Sequence, residues 1–193
     1  LYNSKFPETK WFGIEILKNP LDMWIAQEMI YEIKPDVLIE TGTFKSGSAI
    51  FYCHLMDLMN HGKVITIDIE FRENRPVHKR LRHILGSSVD AGVLNEVRKA
   101  CAEAKTVLVF LDSDHSKEHV FNEIMAYKDF VTQGSYMVVE DTALHGNPIH
   151  PGEWEDPMGA VEEFMKTPNG FIQDRSKEKF LMTWHPKGFL KKL

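Results

Sequence analysis

The chain has 193 residues, a net charge of −5 and 43% hydrophobic content, enough for one compact domain with a sizeable core and too short for a second large one. That balance offers no basic face for nucleic acid, and no apolar run approaches the length of a membrane span. Two cysteines, Cys53 and Cys101, each inside a helical pattern, do not make a disulfide framework and suit a reducing compartment. Cytoplasmic location is the default expectation, with allowance for a trimmed or excised domain because residue 1 is Leu.

In chain order, Tyr2, Phe6, Trp11 and Phe12 form an aromatic arm suited to covering a substrate or meeting a neighbouring subunit. Asn19 as N-cap and Pro20 at the first helical position introduce a helix over 21–33, with an apolar stripe of Leu21, Trp24, Ile25, Met29 and Ile33. An apolar strand at 37–39 then runs through Glu40-Thr41-Gly42-Thr43-Phe44-Lys45-Ser46-Gly47-Ser48 into a helical pattern starting at Ala49. Glycines let such a loop turn sharply and approach a ligand, and the free amides of the following helix attract an anionic group.

The details of this loop select among nucleotide ligands. Phe44 stands where a dinucleotide fingerprint needs its middle glycine, and Ser48-Ala49 stand where a phosphate-binding P-loop needs Lys then Ser or Thr. The acidic-then-glycine form remains, in which Glu40 accepts from a ligand's ammonium group, as S-adenosylmethionine (SAM) provides. The next strand, at 64–67, ends at Asp68, placed as an acid that binds both ribose hydroxyls would be. A further short strand at 83–85 precedes Gly86-Ser87-Ser88.

Strands at 107–111 and 136–139 end in acids: Asp112 after the first, Glu140 and Asp141 after the second. Taken singly, such residues read as solvated turns or helix caps. Together at the carboxyl ends of a parallel sheet, three carboxylates repel unless a cation or protons intervene, and oxygen ligands select Mg²⁺, Ca²⁺ or Mn²⁺. Asp112 is preferred to Asp114 because it directly follows the apolar run and matches the depth of Glu140 and Asp141. A helix over 116–131, with Ser116 as N-cap, places His115 at a positive helix end that favours its neutral form, while the nearby carboxylates pull the other way.

A long loop at 142–157 with His145, His150 and Trp154 covers this end, and a helix follows at 158–165. Runs at 170–173 and 180–184, separated by a charged turn at 174–179, predict an edge hairpin; the basic clusters at 72–82 and 187–192 read as solvated surface. Strands alternating with helices predict an α/β fold with a parallel sheet and helices on both faces.

The combination of Glu40-Thr-Gly42 with Gly47-Ser48, Asp68, Leu111-Asp112-Ser113-Asp114-His115 and Glu140-Asp141 resembles the cephalosporin hydroxylase and rhamnosyl O-methyltransferase group of class I methyltransferases. Lys18-Asn19-Pro20-Leu21-Asp22, the 157–164 segment and the closing Phe180-Leu-Met-Thr183 and Gly188-Phe-Leu190 extend the likeness over nearly the whole chain. The resemblance implies one Rossmann-like domain over 1–193: a mostly parallel seven-stranded sheet with an antiparallel edge hairpin. It implies SAM contacts from Glu40, Gly42, Thr43, Gly47, Ser48, Asp68, Ser87 and Asp112, and a divalent cation, Mg²⁺ foremost, on Asp112, Glu140 and Asp141. His115, three residues after the first metal acid, takes the place of the general base. The expected partner is a small hydroxylated acceptor, a sugar or other natural product, on a homo-oligomer; a hydroxylase-like tailoring enzyme and a non-catalytic SAM-binding module are the alternatives.

Overall fold

The computed structural model describes residues 8–144 and 156–193. A hairpin of β1 (Lys10–Trp11) and β2 (Ile14–Glu15) precedes helix α1 (Pro20–Ile33). There follow β3 (Val37–Thr41), α2 (Gly47–Met59), β4 (Lys63–Asp68), β5 (Leu81–Leu85), α3 (Ala91–Ala100), β6 (Val107–Leu111), α4 (Lys117–Tyr127), β7 (Tyr136–Val139), α5 (Pro157–Met165), β8 (Phe171–Gln173) and β9 (Phe189–Lys192). Seven strands make one sheet in the order β5-β4-β3-β6-β7-β9-β8, parallel from β5 to β7 and antiparallel at β9 and β8.

β3, β6 and β7 are buried on every residue, and their side chains are mostly apolar, because both faces of the sheet are covered. Ile39, Ile65, Val109 and Val139 point to one face, against Val97, Ile124, Tyr127 and Phe164 of α3, α4 and α5. Leu38, Val64, Leu108 and Val138 point to the other, against Ile25, Met29, Tyr52 and Met56 of α1 and α2. Register then fixes the site: Thr41 pairs with both Ile67 and Leu111, and Leu111 pairs with Val139. The next residue of each strand is therefore at one level, which brings Gly42, Asp68, Asp112 and Glu140 to the same edge.

Asn19 caps α1 as the sequence predicts, its side chain accepting from Leu21 N at 3.0 Å, with Pro20 first in the helix. The predicted stripe is only partly inward: Ile25 and Met29 are buried, whereas Leu21 and Trp24 are 37% and 58% exposed, and Met23, Ala26 and Ile30 take their places. The edge hairpin needs a correction. Its second strand is β9, not 180–184, which forms bends and leaves Leu181 fully exposed. The 187–192 run is accordingly no solvated patch: Phe189 and Leu190 enter opposite core faces, and the Lys191 and Lys192 ammonium groups lie over the Tyr136 and Phe171 rings at 5.7 and 5.6 Å. Long stems let lysines occupy a strand while the charge stays at the surface. Within 174–179 the turn is a 3₁₀ helix, Arg175–Glu178, capped by Asp174.

Both loop glycines are demanded by the fold itself. Gly42 has φ +80° and a Cβ there would collide with the Asp112 carbonyl; at Gly47 it would collide with the Glu15 carbonyl. Gly42→Val is thus expected to cost at least about 2 kcal/mol of stability, the scale of a strained backbone conformation. Calorimetric melting should record this as a transition lower by roughly 4–8 °C.

Candidate active site

The loop after β3 carries the first part of the site. Thr43 Oγ1 and Thr66 Oγ1 are 2.6 Å apart, and Thr66 donates to Glu40 Oε2 at 2.7 Å, so the Thr43 hydroxyl is engaged within the protein. Glu40 is fully buried; its Oε1 has no partner of full hydrogen-bond geometry among the described residues, although the Ser48 hydroxyl lies near enough to favour the charged carboxylate. Burial raises its pKa against the charge of Lys18. An orphaned buried carboxylate oxygen is what an ammonium donor would satisfy. Beyond it Ser46, at φ 69°, opens α2, with Ser48 buried in the first turn. Helix geometry leaves the first amides of α2 without intrahelical acceptors.

Asp68, at the end of β4, holds this loop: Oδ2 accepts from Phe44 N at 2.8 Å and Oδ1 from Glu70 N at 2.9 Å. Arg75 lies 2.9 Å from Oδ2, an ion pair whose N–H geometry falls short of a hydrogen bond. After β5, Ser87 is half-buried and its carbonyl accepts from Asp90 N at 3.0 Å. The hydroxyl of Ser88, its neighbour, lies 3.3 Å from His119 Nε2, which is 3.0 Å from Ser113 Oγ. These three side chains border the segment leaving β6.

The second part is acidic. His115 Nε2 is 3.4 Å from Asp112 Oδ1 and 3.6 Å from Asp141 Oδ2, and the three residues offer ligand atoms all within 4.8 Å of one another. Asp114 turns away and accepts from Ser116 N at 2.7 Å. Glu140, fourth of the expected set, is buried and sits outside this trio, on the Lys18 side of Asp112: its Oε2 takes Lys18 Nζ at 2.6 Å and lies 3.4 Å from His185 Nε2. Lys18 also reaches Asp112 Oδ2.

Charges follow from this geometry. Burial would strip Lys18 of its proton, but Asp112 and Glu140 overcome it and hold the pKa well above the lysine range. Burial likewise opposes ionisation of Asp112, yet Lys18 and His115 keep it well below the usual carboxylate value, while burial prevails at Glu140 and raises it. His115 loses some basicity to burial and gains more from Asp112 and Asp141, which lift it to about 9. Between the helix end and the carboxylates, the carboxylates win.

Three participants escape the sequence reading. Lys18 and Asp22 appear there only within the 18–22 segment of the family resemblance; the one warning signal at Lys18 is a cation beside a helix N-terminus, where the macrodipole is unfavourable. His185 accepts from Asp141 N at 2.9 Å through Nδ1, bracing a residue with φ 57°, and so presents Nε2 to Glu140 and to Asp22, 3.8 Å away. Asp22 accepts in turn from Trp184 N at 2.9 Å. The 180–184 segment therefore crosses the active end of the sheet. Of the aromatic arm, Trp11 packs edge-on against Phe51 at 4.8 Å and donates to His54 Nδ1 at 3.0 Å, while Phe12 is exposed. Tyr2, Phe6, His145, His150 and Trp154 lie outside the described residues.

The donor set is two carboxylates and one imidazole on the open side. That is oxygen-rich chemistry, the inverse of the two-histidine, one-carboxylate set of non-haem iron oxygenases. Both cysteines are free, and no helix among the described residues is long and apolar enough to cross a membrane.

Comparisons with known proteins bear on the fold and the family. A rhamnosyl O-methyltransferase of Mycobacterium bovis is 33% identical over 97% of this chain and 80% of its own length. Among solved structures, CmcI with Mg and SAM superposes with a TM-score of 0.76 at 18% identity, covering 98% of this chain and 78% of that one. MycE, from the mycinamycin biosynthetic pathway, in complex with Mg, S-adenosylhomocysteine and mycinamycin VI, gives a TM-score of 0.54 at 19% identity over 74% of this chain and 39% of that one. The family model described as Rhamnosyl O-methyltransferase/CmcI matches residues 3–193, and the chain belongs to that family of methyltransferases.

Proposed function

We propose that the chain transfers the methyl group of SAM to a hydroxyl of a sugar or other natural product, with a divalent cation, Mg²⁺ foremost, at the Asp112 cluster. The observation that carries this reading is the meeting of Asp112, Asp141 and His115 at the sheet edge, one strand away from the orphaned Glu40 oxygen. The names of the relatives make a rhamnosyl hydroxyl the first acceptor to test.

Glu40 would take the SAM ammonium group, the first turn of α2 with Ser48 its carboxylate, and Asp68 the ribose hydroxyls; Ser87 and Ser88 border the base. Asp112 and Asp141 would hold the cation directly, with Glu140 as the third acid once its present contacts yield. When bound, the cation supplies positive charge that polarises the acceptor hydroxyl and offsets the carboxylate field that keeps His115 protonated. Neutral His115, within reach of the same edge, then accepts the hydroxyl proton. Sulfonium sulfur is already a good leaving group, so the remaining task of the chain is in-line placement at near-attack distance.

The cofactor half is tested separately from the metal half. Asp68→Ala is expected to weaken SAM binding by about 1–3 kcal/mol, the scale of hydrogen bonds to a charged acceptor. Titration calorimetry measures it directly, and unchanged affinity would remove Asp68 from the ribose site.

A further inference from the structure

Lys18 brings a permanent positive charge into the acidic cluster, and nothing in its own neighbourhood of the chain accounts for it. It stands immediately before the N-cap of α1, where a cation opposes the helix dipole. Its side chain is 6% exposed, and a buried ammonium is costly unless well paired. The pairing comes from two different strands: Asp112 Oδ2 beyond β6 and Glu140 Oε2 beyond β7, the latter at 2.6 Å. The ammonium fills the space between those oxygens. Magnesium would need carboxylate oxygens at roughly 2.0–2.1 Å, so Asp112 and Glu140 could not serve it while the ammonium holds the gap between them.

We propose that Lys18 is a placeholder cation: in the metal-free protein its ammonium bridges Asp112 and Glu140, and a divalent cation displaces it on loading. This rests on the metal site proposed above. Without a bridging cation, carboxylates on adjacent strand ends would repel across the sheet edge, so the lysine keeps the ligands gathered. It also opposes the incoming metal, since two cations a few ångströms apart repel strongly. Displacement frees Glu140 to act as a ligand, and it ties the 16–19 segment, which leads from the β1–β2 hairpin into α1, to the state of the metal site.

Two measurements decide it. In wild-type protein, titrating Mg²⁺ or Mn²⁺ should raise the reactivity of Lys18 toward an amine-acylating reagent several-fold, read by peptide mass spectrometry. Lys18→Met should bind Mn²⁺ about tenfold more tightly, as loss of a nearby like charge implies, while its metal-free form melts at a lower temperature. A lysine that only scaffolds the fold would weaken both properties when removed. Metal binding by wild type with unchanged Lys18 labelling overturns the proposal alone, and this holds even if Lys18→Met fails to fold. Absence of any divalent-ion binding to wild type overturns the metal site and the proposal with it.

Discussion

Asp112→Asn is expected to abolish divalent-cation binding and with it methyl transfer, while SAM affinity stays within a few-fold of wild type. Asp112 is the junction of the site: Oδ1 faces His115 and Oδ2 faces Lys18. An amide keeps the shape but offers one neutral oxygen and turns a donor toward one of the two cations, so it gives a hard metal little to bind. The cofactor groups lie mainly on the β3 loop and Asp68, outside these contacts. Calorimetric titration with Mn²⁺ and with SAM separates the two halves; retained metal binding by this variant would show that the ligands lie elsewhere. Loss of the Asp112 charge also leaves the buried Lys18 with Glu140 as its carboxylate partner among the described residues, so a lower melting temperature of the metal-free variant is expected alongside.

His115→Ala is expected to lower turnover by ~10²–10⁴, the usual contribution of a positioned base. The pH behaviour distinguishes a base from a scaffold. In the metal-free protein the folded pKa of His115 is raised to about 9. Stability from its protonated form is therefore complete below the unfolded histidine value of about 6.5 and is lost as pH rises through the folded value. Metal-free wild type should accordingly lose stability between these limits, and His115→Ala should not. Because the same proton opposes a cation beside Asp112 and Asp141, apparent metal affinity should climb over that interval in wild type and flatten in the variant. Turnover unchanged at saturating metal would remove His115 from proton transfer.

The legibility of the site in the sequence follows chain locality. Asp112, Glu140, Asp141 and Asp68 announce themselves because each directly ends an apolar run, and parallel register carries those ends to one edge. His115 stands out through the family resemblance, three residues after Asp112, and as a histidine at the start of a helix beside acids. Lys18, Asp22 and His185 do not, since each meets a partner more than 40 residues away in the chain, and no local pattern encodes that approach. The direction in which Glu140 faces is equally invisible, because it depends on Lys18 and His185.

In the fold, the parallel strands and the α1 cap are readable from periodicity and capping chemistry. The last strand is not: Phe189 and Leu190 are followed by two lysines that mimic a solvated run, whereas 180–184 mimics a strand but is held across the site by Trp184 N and the Trp184 carbonyl, which accepts from Ala143 N at 3.0 Å. Leu21 and Trp24 fit the helical period of α1 yet fall beyond the arc that α2 and the sheet cover.

Metal-dependent methyl transfer to a hydroxyl is tested most directly by following radiolabelled methyl from SAM to a rhamnoside acceptor, with chelator and with Mg²⁺ restored. The predicted result is turnover that disappears in excess EDTA and returns on adding Mg²⁺. Full turnover in excess EDTA would contradict the metal mechanism.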